Sequence, residues 1–217
     1  MSYCGLHTWH PGQKETSGRR HALGARDTRD MIVAAADDLF YRQGFDHTSF
    51  ADIAGTVSLS RGNFYYHFRT KDEILDAVIG LRLEATRAML TDWALESASP
   101  VVRIKCFIRI LIVNQTKIMA YGCPVGTLCQ ELAKLEHAAK GRAAEVFALF
   151  REWLAEAFRT LGAGDEAEAL ALHVLVWSQG TATLANAFRD EAFVRREVDG
   201  MCTWVEAQAA RLSGTAR

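Results

Sequence analysis

The sequence predicts an all-α protein, and three observations carry that reading. Apolar residues recur with the 3.6-residue helical period along most of the chain. No segment alternates apolar and polar residues as a half-buried strand does. The three prolines, Pro11, Pro100 and Pro124, leave two long stretches without the residue that breaks helices. The chain has 217 residues, 49% hydrophobic and 24% charged, which is globular composition and excludes a disordered or collagen-like chain. No run of about 18 apolar residues lacks a charge, so no membrane span is expected. Residues 1–26 lack the apolar stretch of a secretion signal, so the expected location is the cytoplasm. Five cysteines (Cys4, Cys106, Cys123, Cys129, Cys202) form an odd set without a CxxC pair. They read neither as a disulfide framework nor as a zinc site. Cys4, His7 and His10 supply only three ligands on a polar tail, and no metal or cofactor is expected.

The elements follow in order. Residues 1–26 mix Gly, His, Arg and Ser without periodicity and read as a mobile extension. Ile32, Ala35, Ala36, Leu39 and Phe40 share one helix face, and Gly44 is the candidate C-terminal cap. Phe50, Ile53, Ala54 and Val57 form a second, short helix, with Ser49 and Asp52 spaced as a capping box. After Ser58-Leu59-Ser60, a third helix covers Arg61–His67 with Phe64 facing inward. Thr70-Lys71-Asp72-Glu73 is a T-x-x-E start signal for a long helix running toward Trp93. Ser99-Pro100 opens the next helix. Residues 101–120 are apolar nearly all round, so one central, buried helix is expected there. Gly122–Gly126 interrupts it, and a helix follows from about Thr127. Another carries Phe147, Phe150 and Trp153. Gly162-Ala163-Gly164 is a turn, and helices over about 165–189 and 191–212 complete the chain.

Two short helices joined by a tight turn and packed on an earlier helix make a helix-turn-helix. Its second helix enters the DNA major groove. In Arg61-Gly62-Asn63-Phe64-Tyr65-Tyr66-His67, Arg suits guanine, Asn suits adenine, and Tyr holds a phosphate or touches a thymine methyl. Gly62 lets the backbone approach closely. Lys71 opposes the macrodipole at a helix N-terminus, which a bound phosphate would reverse. Thr48 is expected to offer its hydroxyl to another phosphate. The charge distribution agrees: net charge is −1, yet residues 57–71 hold Arg61, Arg69 and Lys71 and no acid. Residues 27–76 resemble the DNA-binding domain of TetR-family regulators. Asp27-Thr28-Arg29, Leu39-Phe40, Gly44-Phe45, Thr48-Ser49, Asp52-Ile53-Ala54, Phe64-Tyr65-Tyr66-His67-Phe68 and Lys71-Asp72-Glu73-Ile74-Leu75 carry the resemblance. It departs at Ser58, where the family usually has glycine. The resemblance implies a homodimer on double-stranded palindromic operator DNA, usually a repressor released by a small-molecule effector, and not an enzyme.

The expected division is therefore an extension at 1–26, a DNA-binding domain at 27–76, and a ligand-binding and dimerisation domain at 77–217. An apolar cavity with few polar groups is how small-molecule sites are built. Phe107, Ile110, Leu111, Asn114, Ile118, Cys123, Phe147 and Phe150 are the candidate lining, with Asn114 either orienting a ligand or bonding a neighbouring helix. Cys123, at the Gly122–Gly126 break, is also a candidate redox or electrophile sensor if its thiol is exposed and acidic. A helical thiol enzyme built on Cys123 would need His137 or His173 as its base, and no motif surrounds either. In the last two helices, Leu170, Val174, Trp177, Thr181 and Leu184 form one stripe; Val194, Val198, Met201, Val205 and Leu212 form another. Together they are the expected face of a symmetric four-helix dimer interface.

Overall fold

The computed structural model describes residues 25–215. Among them are ten α-helices, a single 3₁₀ turn at Gly164–Glu166, and no strand. The helices are α1 (Ala25–Gln43), α2 (Phe50–Thr56), α3 (Arg61–His67), α4 (Lys71–Glu96) and α5 (Pro100–Val113). They continue with α6 (Gln115–Tyr121), α7 (Pro124–Lys134), α8 (Lys140–Thr160), α9 (Ala167–Phe188) and α10 (Glu191–Thr215). The all-α reading therefore holds. The Cys4, His7 and His10 set falls outside the described residues.

The chain forms two compact units. One holds α1–α3, α4 as far as Ala85, and residues 127–144. Its core is Ile32, Ala36 and Phe40 of α1, Ile53 of α2, Phe64 of α3, and Ile74, Val78 and Ile79 of α4. Inside this core lies an ion pair. Arg82 Nε donates to Asp37 Oδ1 at 2.6 Å, with the two side chains only 2% and 8% exposed. Compact packing thus reaches beyond the 27–76 segment, taking in about half of α4, most of α7 and the start of α8.

The second unit holds residues 86–126 and 145–215. Here α5 packs on α9 and α10, and α6 packs on α9. The stretch 101–120 is not one helix. It breaks at Asn114 (φ −105°, ψ 11°), whose side-chain Nδ2 donates to Ile110 O at 3.0 Å. Asn competes locally for backbone partners in this way, which is why it favours helix ends. The next helix starts at Pro124, not near Thr127. Proline fits a first helical position, and the Cys123 sulfur accepts the Gly126 N–H at 3.5 Å.

Removing one partner of a buried ion pair strands the other charge. Asp37→Ala is therefore expected to cost about 3–5 kcal/mol in urea unfolding, and the paired Asp37→Leu/Arg82→Met replacement to recover most of it. A double variant as unstable as the single one would contradict this.

Candidate nucleic-acid interface

The interface begins with the short α2 and α3, which hold their shape through caps. Ser49 closes a complete capping box at α2. Its Oγ accepts Asp52 N–H at 3.2 Å, and Asp52 Oδ2 accepts the Ser49 N–H at 2.8 Å and its hydroxyl at 2.7 Å. These bonds, the hydroxyl's first, hold the Asp52 carboxyl below its ordinary range. Between the helices Ser58 adopts φ 53°, the left-handed region that glycine occupies without strain. The departure from glycine is therefore a strained residue. At α3, Ser60 Oγ accepts the Asn63 N–H at 3.4 Å.

The inner face of α3 is Phe64, 2% exposed and edge-on to Phe50 at 5.3 Å. Phe68 closes the helix C-terminus and is equally buried. Gly62, Asn63, Tyr65 and Tyr66 face solvent, with Tyr66 77% exposed. Tyr65 stacks on Phe50 at 5.6 Å, and Tyr66 lies edge-on to the half-buried His67 at 5.1 Å. Nothing stands within 4 Å of where a Gly62 Cβ would be. The side chain of Arg61 lies outside what is described. The outer face is thus an amide and two phenols around an open glycine, on a helix narrow enough for the major groove.

Two expected phosphate contacts are placed differently. Thr48 is 1% exposed, and its hydroxyl donates to Gly44 O at 2.7 Å and accepts from Gln43 Nε2 at 3.2 Å. It closes the α1–α2 turn and does not face outward. Lys71 turns its ammonium onto Phe45 O (2.9 Å) and Asp46 O (3.2 Å), 4.3 Å above the Phe45 ring. The sequence supplied the cation at the helix start but not the two carbonyls that occupy it. Glu131 was missed altogether: its carboxylate accepts the N–H groups of Phe45 and Asp46, both at 2.9 Å.

In the second unit half of the candidate ligand residues are buried and the other half are half-buried. Phe107, Leu111, Ile118 and Phe150 are buried, and the Phe107 and Phe150 rings lie 5.2 Å apart. Ile110, Asn114, Cys123 and Phe147 are half-buried. The Asn114 amide already donates to Ile110 O. Among the described residues, Gln115 Oε1 and Thr86 Oγ1 are buried without a hydrogen-bond partner. The Cys123 sulfur accepts from Gly126 N and from Gln179 Nε2, each at 3.5 Å. That is the role of a helix cap, and it lends the thiol-sensor alternative no support. Nor does it favour the thiol enzyme: His137 accepts the Ala139 N–H at 3.1 Å, and the His173 ring lies 4.6 Å from Trp204.

The expected dimer stripes are largely covered within the single chain. Val174, Thr181, Val198, Met201 and Val205 are buried within the single chain, as are Val194 and Leu212. Leu170 and Trp177 are half-buried, and Leu184 alone of the set faces solvent. The stripes are the seams by which α9 and α10 pack on α5, α6 and each other.

Comparison with known proteins gives the architecture its family. Residues 32–78 match the profile described as bacterial regulatory proteins, tetR family. Residues 100–197 match the C-terminal domain of LmrA/YxaF-like transcriptional regulators. An uncharacterised HTH-type transcriptional regulator in the lacX 3' region of Lactococcus lactis is 30% identical over 133 residues, covering 60% of this chain and 68% of that protein. The chain belongs to the TetR family of DNA-binding transcriptional regulators. The HTH-type transcriptional regulator TtgR of Pseudomonas putida is 35% identical over 94 residues, 43% of this chain and 44% of its own. A TetR transcriptional regulator from Legionella pneumophila superposes with a TM-score of 0.72 at 25% identity, covering 83% of this chain and 99% of that one. For this TetR-family protein, no helix among the described residues is long and apolar enough to cross a membrane.

The strained turn residue gives a direct check. Ser58→Gly should raise stability by about 1 kcal/mol, because the left-handed conformation costs a side-chain-bearing residue roughly that much. Chemical denaturation measures it, and a loss of stability would show that Ser58 contributes something a glycine lacks.

Proposed function

We propose that the chain is a homodimeric repressor that binds a palindromic operator through α3 and is released by a small-molecule effector. The exposed Asn63, Tyr65 and Tyr66 on a rigidly capped α3 carry the DNA half of this reading. Asn pairs bidentately with adenine, and each such pair is worth about 1–3 kcal/mol of discrimination. Asn63→Ala should therefore relax base preference at one position of each half-site in a selection from randomised duplexes. Binding to random duplex should stay as it was, since that term comes from phosphates. Unchanged base preference in the variant would remove α3 as the reading element.

A second copy of the chain is the partner that fits α9 and α10. From Ala169 to Phe188 there is no Asp, Glu, Lys or Arg, although Leu172 (45%), Val176 (69%), Leu184 (42%) and Phe188 (64%) are exposed. Gly180 on α9 and Gly200 on α10 have open space where a Cβ would be. An uncharged, apolar helix face with small neighbours suits close, self-complementary contact across a two-fold axis. In this reading the partner-facing residues are Leu172, Val176, Gly180 and Leu184. The buried stripes hold that face in place. Val176→Glu should yield a folded monomer by sedimentation, with unchanged helicity by circular dichroism. A dimeric Val176→Glu protein would place the interface elsewhere.

The effector belongs in the second unit, where Gln115 Oε1 is a buried acceptor without a partner. A hydroxyl or amine on an otherwise apolar molecule would satisfy it, and Gln115 replaces Asn114 as the orienting group. Effector and operator must then oppose each other by the same factor, because their coupling is reciprocal. The cytoplasm is where such a regulator meets both.

A further inference from the structure

Two of the six residues between α1 and α2 are held in an unusual way. Phe45 and Asp46 present four backbone polar groups, and two side chains of opposite charge engage all four. Glu131 of α7 accepts both N–H groups, at 2.9 Å each. Lys71 of α4 donates to both carbonyls, at 2.9 and 3.2 Å. Successive N–H groups form a ready concavity for an anion, and here the anion is a carboxylate 86 residues away in sequence. Gly44 is built around it. Besides its φ of +92°, a Cβ there would stand 2.8 Å from Glu131 Oε1. The Phe45 ring is fixed as well, edge-on to Phe40 at 5.3 Å and to His137 at 5.2 Å, with Lys71 above it.

This turn leads directly into the DNA-reading elements. Phe45 O also accepts the Thr48 N–H at 3.2 Å, and Ser49, the cap of α2, is the next residue. The position of Phe45-Asp46 therefore sets where α2 starts, and α3 follows through a four-residue connector. We infer that Glu131 is a positioning residue for DNA binding: through its grip on the α1–α2 turn, helix α7 holds the helix-turn-helix ready to dock. Glu131 touches no base and no phosphate in this account. It acts by removing the freedom that the turn would otherwise lose on docking. The inference rests on the family's DNA binding alone and not on the effector or the dimer.

Glu131→Gln tests it at nearly constant volume, because one of the two acceptors becomes an NH₂ facing an N–H. Three quantities are read on the full chain: amide exchange of Phe45 and Asp46, melting temperature, and affinity for two duplexes. One duplex is the sequence the wild type selects from a randomised pool, and the other is a random duplex of equal length. Exchange at the two amides should quicken at least about tenfold, matching the loss of about one charge-assisted hydrogen bond. Affinity for the selected duplex should fall about tenfold while random-duplex affinity holds, since the latter is an electrostatic term. Unchanged affinity for the selected duplex overturns the inference. So do equal losses on both duplexes in step with a lowered melting temperature, which mark a purely structural role. If the variant does not fold, wild-type exchange decides: Phe45 and Asp46 must be protected as well as the amides of α2, and unprotected amides overturn it.

Discussion

Seven residues do not make a stable helix. An isolated helix shorter than about 12–15 residues is marginal in water, and α2 and α3 have seven each. Everything that reads DNA in this protein depends on holding those two helices by other means. The means are visible at each end and along one side. Ser49 with Asp52, and Ser60, tie up the first turns. Ile53, Phe64 and Phe68 bury the inner face. Burying one large apolar side chain contributes about 1.5–3 kcal/mol, so a few such residues outweigh the unfavourable nucleation of two short helices. The exposed Asn63 and Tyr66 on the outer face of α3 are then not needed for its apolar packing.

The long α4 is the reference to which these pieces are fixed. Its first residue grips the α1–α2 turn, and its third, Glu73, closes its own start by accepting the Arg69 N–H at 2.8 Å. Three turns on, Arg82 reaches Asp37 of α1 through the apolar core. A buried ion pair adds little net stability against an apolar isostere, yet it penalises any arrangement that separates its partners. In this head it fixes the register of α1 against α4, as Glu131 fixes the turn that follows α1.

Local signals were legible in the sequence and long-range ones were not. The Ser49 capping box, the Thr70-x-x-Glu73 start, the proline opening at 100 and the departure from glycine at Ser58 are each decided by residues within one turn of one another. Sequence spacing shows such contacts directly. Thr48 and Lys71 follow the same local logic, yet the side chain of each is engaged within the protein. The carbonyl partners of Lys71 are brought close by the fold, whereas Thr48 bonds Gly44 O and the Gln43 amide within its own turn. Glu131 offered no local signal at all. Asp37 and Arg82 did leave a trace: each is a charge on a largely apolar helical face, with Val33, Ala36 and Phe40 on one side and Val78, Ile79 and Leu83 on the other. Opposite charges on two such faces predict a buried pair. The break at Asn114 lies between the apolar run that ends at Val113 and the polar Gln115-Thr116-Lys117, inside a stretch that is apolar at both ends. The last two helices show a different limit. Their buried stripes are more regular than their exposed faces, and periodicity finds a seam without saying whether the same chain or another covers it.

The central claim is that α3 reads the major groove in two symmetric half-sites. Dimethyl sulfate probing of guanine N7, which lies in the major groove, tests it most directly on the duplex the protein selects. The account predicts protection of guanines in two symmetry-related clusters, lost when the protein is omitted, with adenine N3 in the minor groove left reactive beneath them. Protection confined to adenine N3, or a single unsymmetric cluster of guanines, would contradict it.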